Sequence, residues 1–221
     1  GIADPERKKL YIKLLSDTWE IADQARLLQL DDISTRYYHD VRKKRTQDLA
    51  AYNTNVLMHI LESFNDDLAV SGLLSDSNID AVLKRHEDTQ KFMFLQTWSN
   101  SYWTTEDEAD AQGMLKSELI PVNDLCLFTS AVMLSLMECF DLRKLMWLLD
   151  AYQHGNVYVS QRALIGIVFA LHIHTHRLDL YPEIANRLKL LNEENSFDED
   201  LVRIYRQLLL CQETEKIDKK M

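Results

Sequence analysis

The chain has 221 residues, 46% of them hydrophobic, so it can bury a core and is not of a disordered type. Five Gly and three Pro leave few tight turns, which disfavours all-β and α/β designs and favours long helices. The net charge of −10 divides into −7 over residues 1–110 and −3 over residues 111–221, so neither half carries the positive field that a nucleic-acid or anionic-membrane surface requires.

Asp4–Pro5 opens a first helix, with Asp as the cap and Pro at the first helical position. This helix is expected to run to about Gln29, and Leu10, Leu14, Ile21, Ala22, Ala25 and Leu28 form one apolar face. A polar hinge, Asp31–Asp32, leads to a second long helix from Ser34. On it Leu49, Tyr52, Val56, Leu57, Ile60, Leu61 and Phe64 keep amphipathic spacing. The two read as an antiparallel helical hairpin. Gly72 and the Ser/Asp/Asn stretch Ser75–Asn78 mark a loop, and Ser77-x-x-Asp80 resembles a capping box. His86 to Ser101 reads as a helix rich in aromatics, Thr105-x-x-Glu108 caps the next, and Pro121 punctuates a boundary.

Beyond Pro121 the pattern tightens. Leu125 to Met137 is a charge-free apolar stretch of thirteen residues, too short to span a bilayer and suited to a buried helix. Asp141 caps a helix from Leu142 to Tyr152, closed by Gly155. Ser160 opens another, in which Ala163 to Leu171 has no polar side chain. Tyr181–Pro182 opens a fourth on Ile184 and Leu188. Ser196-x-x-Glu199 opens a fifth, with Phe197, Leu201, Ile204, Tyr205, Leu208 and Leu209 on one face.

The helix starts Asn123, Ser160 and Ser196 are 37 and 36 residues apart, and Asp141 and Asp179 are 38 apart. A period in this range points to a helical-repeat solenoid, which stacks helix pairs into a surface for partners. The first helix of each pair is apolar on most faces and the second is amphipathic, as expected where inner helices are sandwiched between neighbours.

The stretch Leu142–Leu171 with its leading Asp141 (DLRKLMWLLDAYQHGNVYVSQRALIGIVFAL) resembles HEAT-type repeats. Those place a capping Asp before the second helix and a Val/Arg/Ala/Leu-rich first helix after a short turn. Val157, Val159, Arg162, Ala163 and Leu164 fill those places. The segment RALIGIVFALHIHTHRLDLYPEI, with the terminal QETEKIDKKM, also resembles a region of large bacterial tetratricopeptide-repeat proteins, in which a HEAT-like segment precedes the tetratricopeptide array. The chain lacks the Trp-x-x-Leu-Gly-x-x-Tyr pattern of the tetratricopeptide repeat itself. The resemblance therefore implies an array beyond Met221, a scaffold or adaptor role, and no catalytic residues.

The expected fold is all-α: a right-handed α-α superhelix, or HEAT-like array, of antiparallel helix pairs. Residues 1–118 are expected to be irregular or capping helices, and 119–221 the repeat helices. Gly1, in place of an initiator Met, reads as a processing or cloning scar. Gln212–Met221, with six charged residues and no terminating Gly or Pro, reads as a helix cut within a longer protein.

Candidate chemistry is sparse. His172 and His176 fall at i and i+4 on one helix face, a spacing that suits metal ligation, while His174 points the other way and no Glu stands between them as a zincin helix requires. Histidines at a helix C-terminus are equally explained by the dipole and the free carbonyls. Glu106, Asp107, Glu108 and Asp110, like Asp198, Glu199 and Asp200, suit first helical turns. Trp98, Tyr102 and Trp103 could form a binding patch, with Trp103 the most exposed, or pack between helices. Arg42–Lys43–Lys44–Arg45 is either a solvated face or an anion site. Cys126, Cys139 and Cys211 form no CxxC pair; the first two read as buried thiols of a reducing compartment. No GxSxG or Gly-rich phosphate loop is present. No catalytic, cofactor or metal residue is assigned. The reading is a cytoplasmic, non-catalytic scaffold whose partner is a protein or the remainder of its own chain, without nucleic acid or membrane. The alternative is an all-α metal-binding or enzymatic domain using His172 and His176.

Overall fold

The computed structural model describes residues 5–45, 54–73, 76–194 and 196–218, the backbone alone at 76–77 and 212–218. The elements are α1 (Pro5–Ile33), α2 (Tyr37–Lys44), α3 (Thr54–Gly72), α4 (Asp76–Ser99), α5 (Thr105–Lys116), α6 (Val122–Glu138), α7 (Leu142–Tyr152), α8 (Val157–Ile173), a 3-10 segment (Thr175–Leu180), α9 (Pro182–Glu194) and α10 (Phe197–Asp218). The protein is all-α, with no strand among the described residues.

Local chemistry sets the helix starts, at times one step away from the sequence expectation. The α5 capping box is Thr104 with Asp107, one residue earlier than Thr105–Glu108: Asp107 N–H donates to Thr104 Oγ1 at 3.1 Å and Thr104 N–H to Asp107 Oδ2 at 2.8 Å. Asp141 caps α7 as expected, accepting from Arg143 N–H at 2.8 Å. For α8 the cap is Asn156, which accepts from Tyr158 N–H at 2.9 Å. Ser160 lies one turn inside and donates to Tyr152 O at 2.6 Å. The starts of α6, α8 and α10 therefore fall at Val122, Val157 and Phe197. Asp179 lies within the 3-10 segment, and α9 begins at Pro182. The expected cap at Asp4, the apolar positions Leu49 and Tyr52 and the cap at Ser77 lie outside the described residues or side chains.

Helix contacts alternate. α4, α6, α8 and α10 touch in succession, and α3, α5, α7 and α9 do the same in a second row. The rows meet where α3 packs on α4, and α7 on α6 and α8. α6 thus lies between α4 and α8 with α7 against it, which explains why Leu125–Met137 carries no charge. One apolar core runs from Leu57 and Leu61 on α3, through Phe128, Val132, Leu148 and Ile167, to Phe197 on α10. It crosses the expected boundary at residues 118/119 without a break.

The N-terminal hairpin is corrected. α3 pairs with α4, while α1 packs on α2 and on the 3-10 segment. The α1 residues that are buried are Asp23, Leu27 and Asp31; the apolar face with Leu10, Leu14, Ile21 and Leu28 is exposed. The inward side of α1 is mixed: Leu27 packs with Tyr38 and Cys139, while Asp23 and Asp31 meet Arg177, His39 and Arg42. Asp31, expected in a hinge, is buried and accepts from His39 Nδ1 at 2.7 Å and Arg42 Nε at 3.2 Å, folding α2 back onto the end of α1.

At Gly166 the backbone of α8 approaches its neighbours closely. A Cβ there would meet Leu148 Cδ1 at 3.0 Å and Met133 Cβ at 3.1 Å. Alanine would gain about 1 kcal/mol in helix propensity over glycine. The clash with Met133 Cβ, next to the α6 backbone, outweighs that gain. Gly166→Ala is expected to lower stability by about 1–2 kcal/mol, read as a lowered denaturation midpoint. A raised midpoint would show that α8 and α6 can separate freely.

Candidate functional site

The deepest polar feature lies where the α4–α5 loop meets α6 and α7. Lys144 is fully buried, and its Nζ donates to Asn100 O and, at 2.8 Å, to Ser135 Oγ. Ser135 Oγ also donates to Asn100 O at 3.0 Å. Asp141 Oδ2 accepts from Trp103 N–H at 2.6 Å and lies 3.9 Å from the Lys144 ammonium, which sits 5.7 Å from the Trp103 ring centre. Burial lowers the Lys144 pKa to about 8 against the pull of Asp141. The Trp103 ring in turn lies against Phe128, which meets Trp147 edge-on, and Trp147 Nε1 donates to Ala111 O at 2.9 Å. A low-pKa lysine of this kind suits Schiff-base chemistry, but all three of its neighbours hold loop and helix together. The sequence signal for it is a lysine one turn after a capping Asp, within the apolar run Leu142–Leu149.

Second, α1 lies across the three loops that pass from the α4 row to the α3 row. Ser16 Oγ shares a hydrogen bond with Tyr181 Oη at 2.9 Å. Asp23 accepts from Arg177 NH1 at 2.6 Å, and the guanidinium carbon stands 4.4 Å from the Trp19 ring centre and 5.4 Å from that of Phe140. Arg26 donates to Glu138 O at 2.6 Å, Arg36 pairs with the Glu138 carboxylate, and Tyr102 Oη donates to Glu20 O at 3.4 Å. The 3-10 segment, the α6–α7 loop and the α4–α5 loop are each bound to α1 through these groups.

The histidine cluster is redistributed. α8 ends at Ile173, so His172 and His176 do not share a helix face. His172 lies with its ring 6.1 Å from that of Tyr205; His176 lies against Trp19 at 4.8 Å. His174 is buried, with burial holding its pKa below the usual range, and its Nε2 donates to Leu136 O at 2.6 Å. Among the described residues no group of three or more His, Cys, Asp and Glu is arranged to hold a metal ion. Trp103, expected to be the most exposed of its group, is 5% exposed; Trp98 packs on Tyr38 at 5.1 Å. The basic run is divided, with Arg42 held by Asp31 and Ser101 and Lys43 lying 3.8 Å from Asp40. Cys126 and Cys139 are buried, whereas Cys211 is exposed.

One surface groove is lined mainly by apolar atoms. Val168, Leu171, His172, Thr175, Leu201, Val202, Tyr205 and Arg206 line a groove of about 430 Å³ between α8 and α10. The face expected on α10 splits: Phe197 is buried, Leu201, Ile204 and Leu208 are half-buried, and Tyr205 and Leu209 face solvent. No helix is long and apolar enough among the described residues to cross a membrane.

Two measurements follow from the buried charges. Arg177→Ala leaves the buried Asp23 with only the half-exposed Arg26, 3.8 Å away, and is expected to cost about 2 kcal/mol and to speed hydrogen exchange in α1 before the rest of the chain; unchanged exchange in α1 would contradict its attachment through this pair. Lys144 has a folded pKa of about 8, below its ordinary 10.5. Between those values the unfolded chain binds more protons, so stability should rise with pH. The margin of the wild type over Lys144→Met should widen from about pH 8 to about pH 10.5 and then level off; a margin independent of pH would show that Lys144 is hydrated.

Comparison of the chain with protein-family models, with curated proteins and with solved structures found no match.

Proposed function

We propose that the chain is a non-catalytic helical-repeat segment, a scaffold or adaptor built as a right-handed α-α superhelix of HEAT-like antiparallel pairs. The observation that carries this reading is the alternation of contacts, in which α4, α6, α8 and α10 follow one another in one row and α3, α5, α7 and α9 in the other. Helices that touch the next-but-one helix in sequence are what stacked pairs produce. The polar chemistry supports the same reading: Lys144, Asp141, Asp23 and Arg177 are all engaged with structural neighbours. The groove between α8 and α10 has the shape and apolar lining to take one face of an amphipathic helix. That helix comes from a cytoplasmic protein partner or, following the resemblance to bacterial tetratricopeptide-repeat proteins, from the remainder of the same chain.

In stacked repeats damage stays local, because each unit contacts its neighbours alone. Phe197 is buried against Tyr152, with ring centres 4.9 Å apart. Phe197→Ala is expected to cost about 3–4 kcal/mol and to remove exchange protection from α9 and α10 while α4 and α6 keep theirs; equal loss throughout would favour a single cooperative globule over an array. For the function, Val202→Glu and Tyr205→Glu alter exposed groove residues. Proteins co-purifying with the wild type should be lost from both variants, and an unchanged set would overturn the groove as the docking site.

A further inference from the structure

The outer face of α1 has a regular pattern that is left exposed among the described residues. Tyr11, Leu14, Thr18, Ile21, Ala25 and Leu28 follow one another at alternating steps of three and four residues, the spacing of a coiled-coil seam. All six are exposed; Leu10, Tyr11, Leu14, Ile21 and Leu28 are each between 60 and 69% exposed. They lie opposite Ser16, Asp23 and Leu27, the residues that attach α1 to the loops and to α2. An apolar stripe of this length on a helix held from behind is presented to a second body. Stepping outward along the seam, Arg7 precedes Tyr11 and Asp32 follows Leu28.

Charge along α1 is divided in the same way. Residues 5–19 carry Arg7, Lys8, Lys9 and Lys13 against Glu6 and Asp17, a net +2, while residues 20–33 carry Glu20, Asp23, Asp31 and Asp32 against Arg26, a net −3. A parallel neighbour of the same sequence would set like charges side by side. An antiparallel one sets the basic half against the acidic half. The seam is also complementary to its own reverse. With the two-fold axis between Thr18 and Ile21, each layer joins two residues whose numbers add to the same total. Tyr11 faces Leu28 of a second copy, Leu14 faces Ala25, Thr18 faces Ile21, and Arg7 faces Asp32. Large residues meet smaller ones, and the terminal charges pair. Each contact occurs twice, as an isologous interface requires.

We propose that the outer face of α1 is a self-association surface, through which two copies of this chain pair as an antiparallel coiled coil about a two-fold axis at Thr18–Ile21. The occupant of the stripe is therefore a second α1. The loop contacts on the opposite face preorganise the helix, so pairing does not have to order it.

Analytical ultracentrifugation of the whole chain across a concentration series tests this, with circular dichroism to establish that each variant is folded. The wild type is expected to move from 25.9 kDa toward twice that mass. Ile21→Glu should weaken association about a hundredfold or more, because the lost burial counts twice. Arg7→Asp should weaken it about tenfold, and adding Asp32→Arg should restore it by exchanging the two charges. Orientation is read by oxidation in a Cys211→Ser background. Leu14→Cys with Ala25→Cys should give a covalent dimer, and Leu14→Cys alone should not. A wild type that stays monomeric throughout, association indifferent to Ile21→Glu, or efficient crosslinking through Leu14→Cys alone would each overturn the proposal. So would a face that binds another protein's helix while the chain itself remains monomeric. None of these outcomes bears on the groove between α8 and α10.

Discussion

A single buried ammonium joins the parts that meet where the α4–α5 loop, α6 and α7 come together. Lys144 comes from the first turn of α7, Ser135 from α6, Asn100 from the end of α4, and Asp141 from the loop that caps α7. Removing a cation from water costs several kcal/mol unless hydrogen bonds and an opposite charge replace the solvent. Here a carbonyl, a hydroxyl, a carboxylate and the Trp103 ring all converge on it. Apolar packing alone would let α7 slide along α6 at little cost, since hydrophobic contact has no direction. The ammonium requires one position, and the loop, both helices and the indole are held to it.

The same device recurs in milder form along both rows. In the α4 row, the buried carboxylate of Asp124 on α6 accepts from His86 Nε2 at 2.7 Å and from Gln90, both on α4. In the α3 row, Asp150 on α7 accepts from Gln112 on α5 at 2.8 Å and from Arg187 on α9 at 2.7 Å. Each acidic residue links successive members of its row. Burial provides the stabilisation, and these directional contacts fix which neighbour is met and at what register.

The helices themselves were legible from patterning. Scarce Gly and Pro, the thirteen charge-free residues of α6 and the Asp141 cap all correspond to what is found. Caps adrift by a few residues, Ser160 for Asn156 and Thr105 for Thr104, arise because neighbouring residues offer alternative local caps: Asn156 binds Tyr158 N–H and Thr104 binds Asp107 N–H. The N-terminal reading failed for a different reason. Periodicity identifies an apolar face, and the usual inference is that it turns inward. On α1 it turns outward, and the side carrying Ser16, Asp23 and Leu27 turns in to meet Tyr181, Arg177 and Cys139. Partners so distant in sequence leave no local trace. The histidines misled similarly, since nothing local marks the change from α-helix to 3-10 geometry after Ile173.

The attachment of α1 has a mechanical consequence. Two packed rows of helices deform by opening wedges between neighbours, at either of the two edges where the connecting loops lie. Along one edge α1 is fastened at Tyr102, Glu138, Arg177 and Tyr181, so it acts as an inextensible tie across three successive pairs. That edge cannot lengthen while the tie holds. Strain applied to the two helix rows is therefore expected along the opposite edge, at the turns 117–121 and 153–156, with the rows bending about α1 as a book bends about its spine.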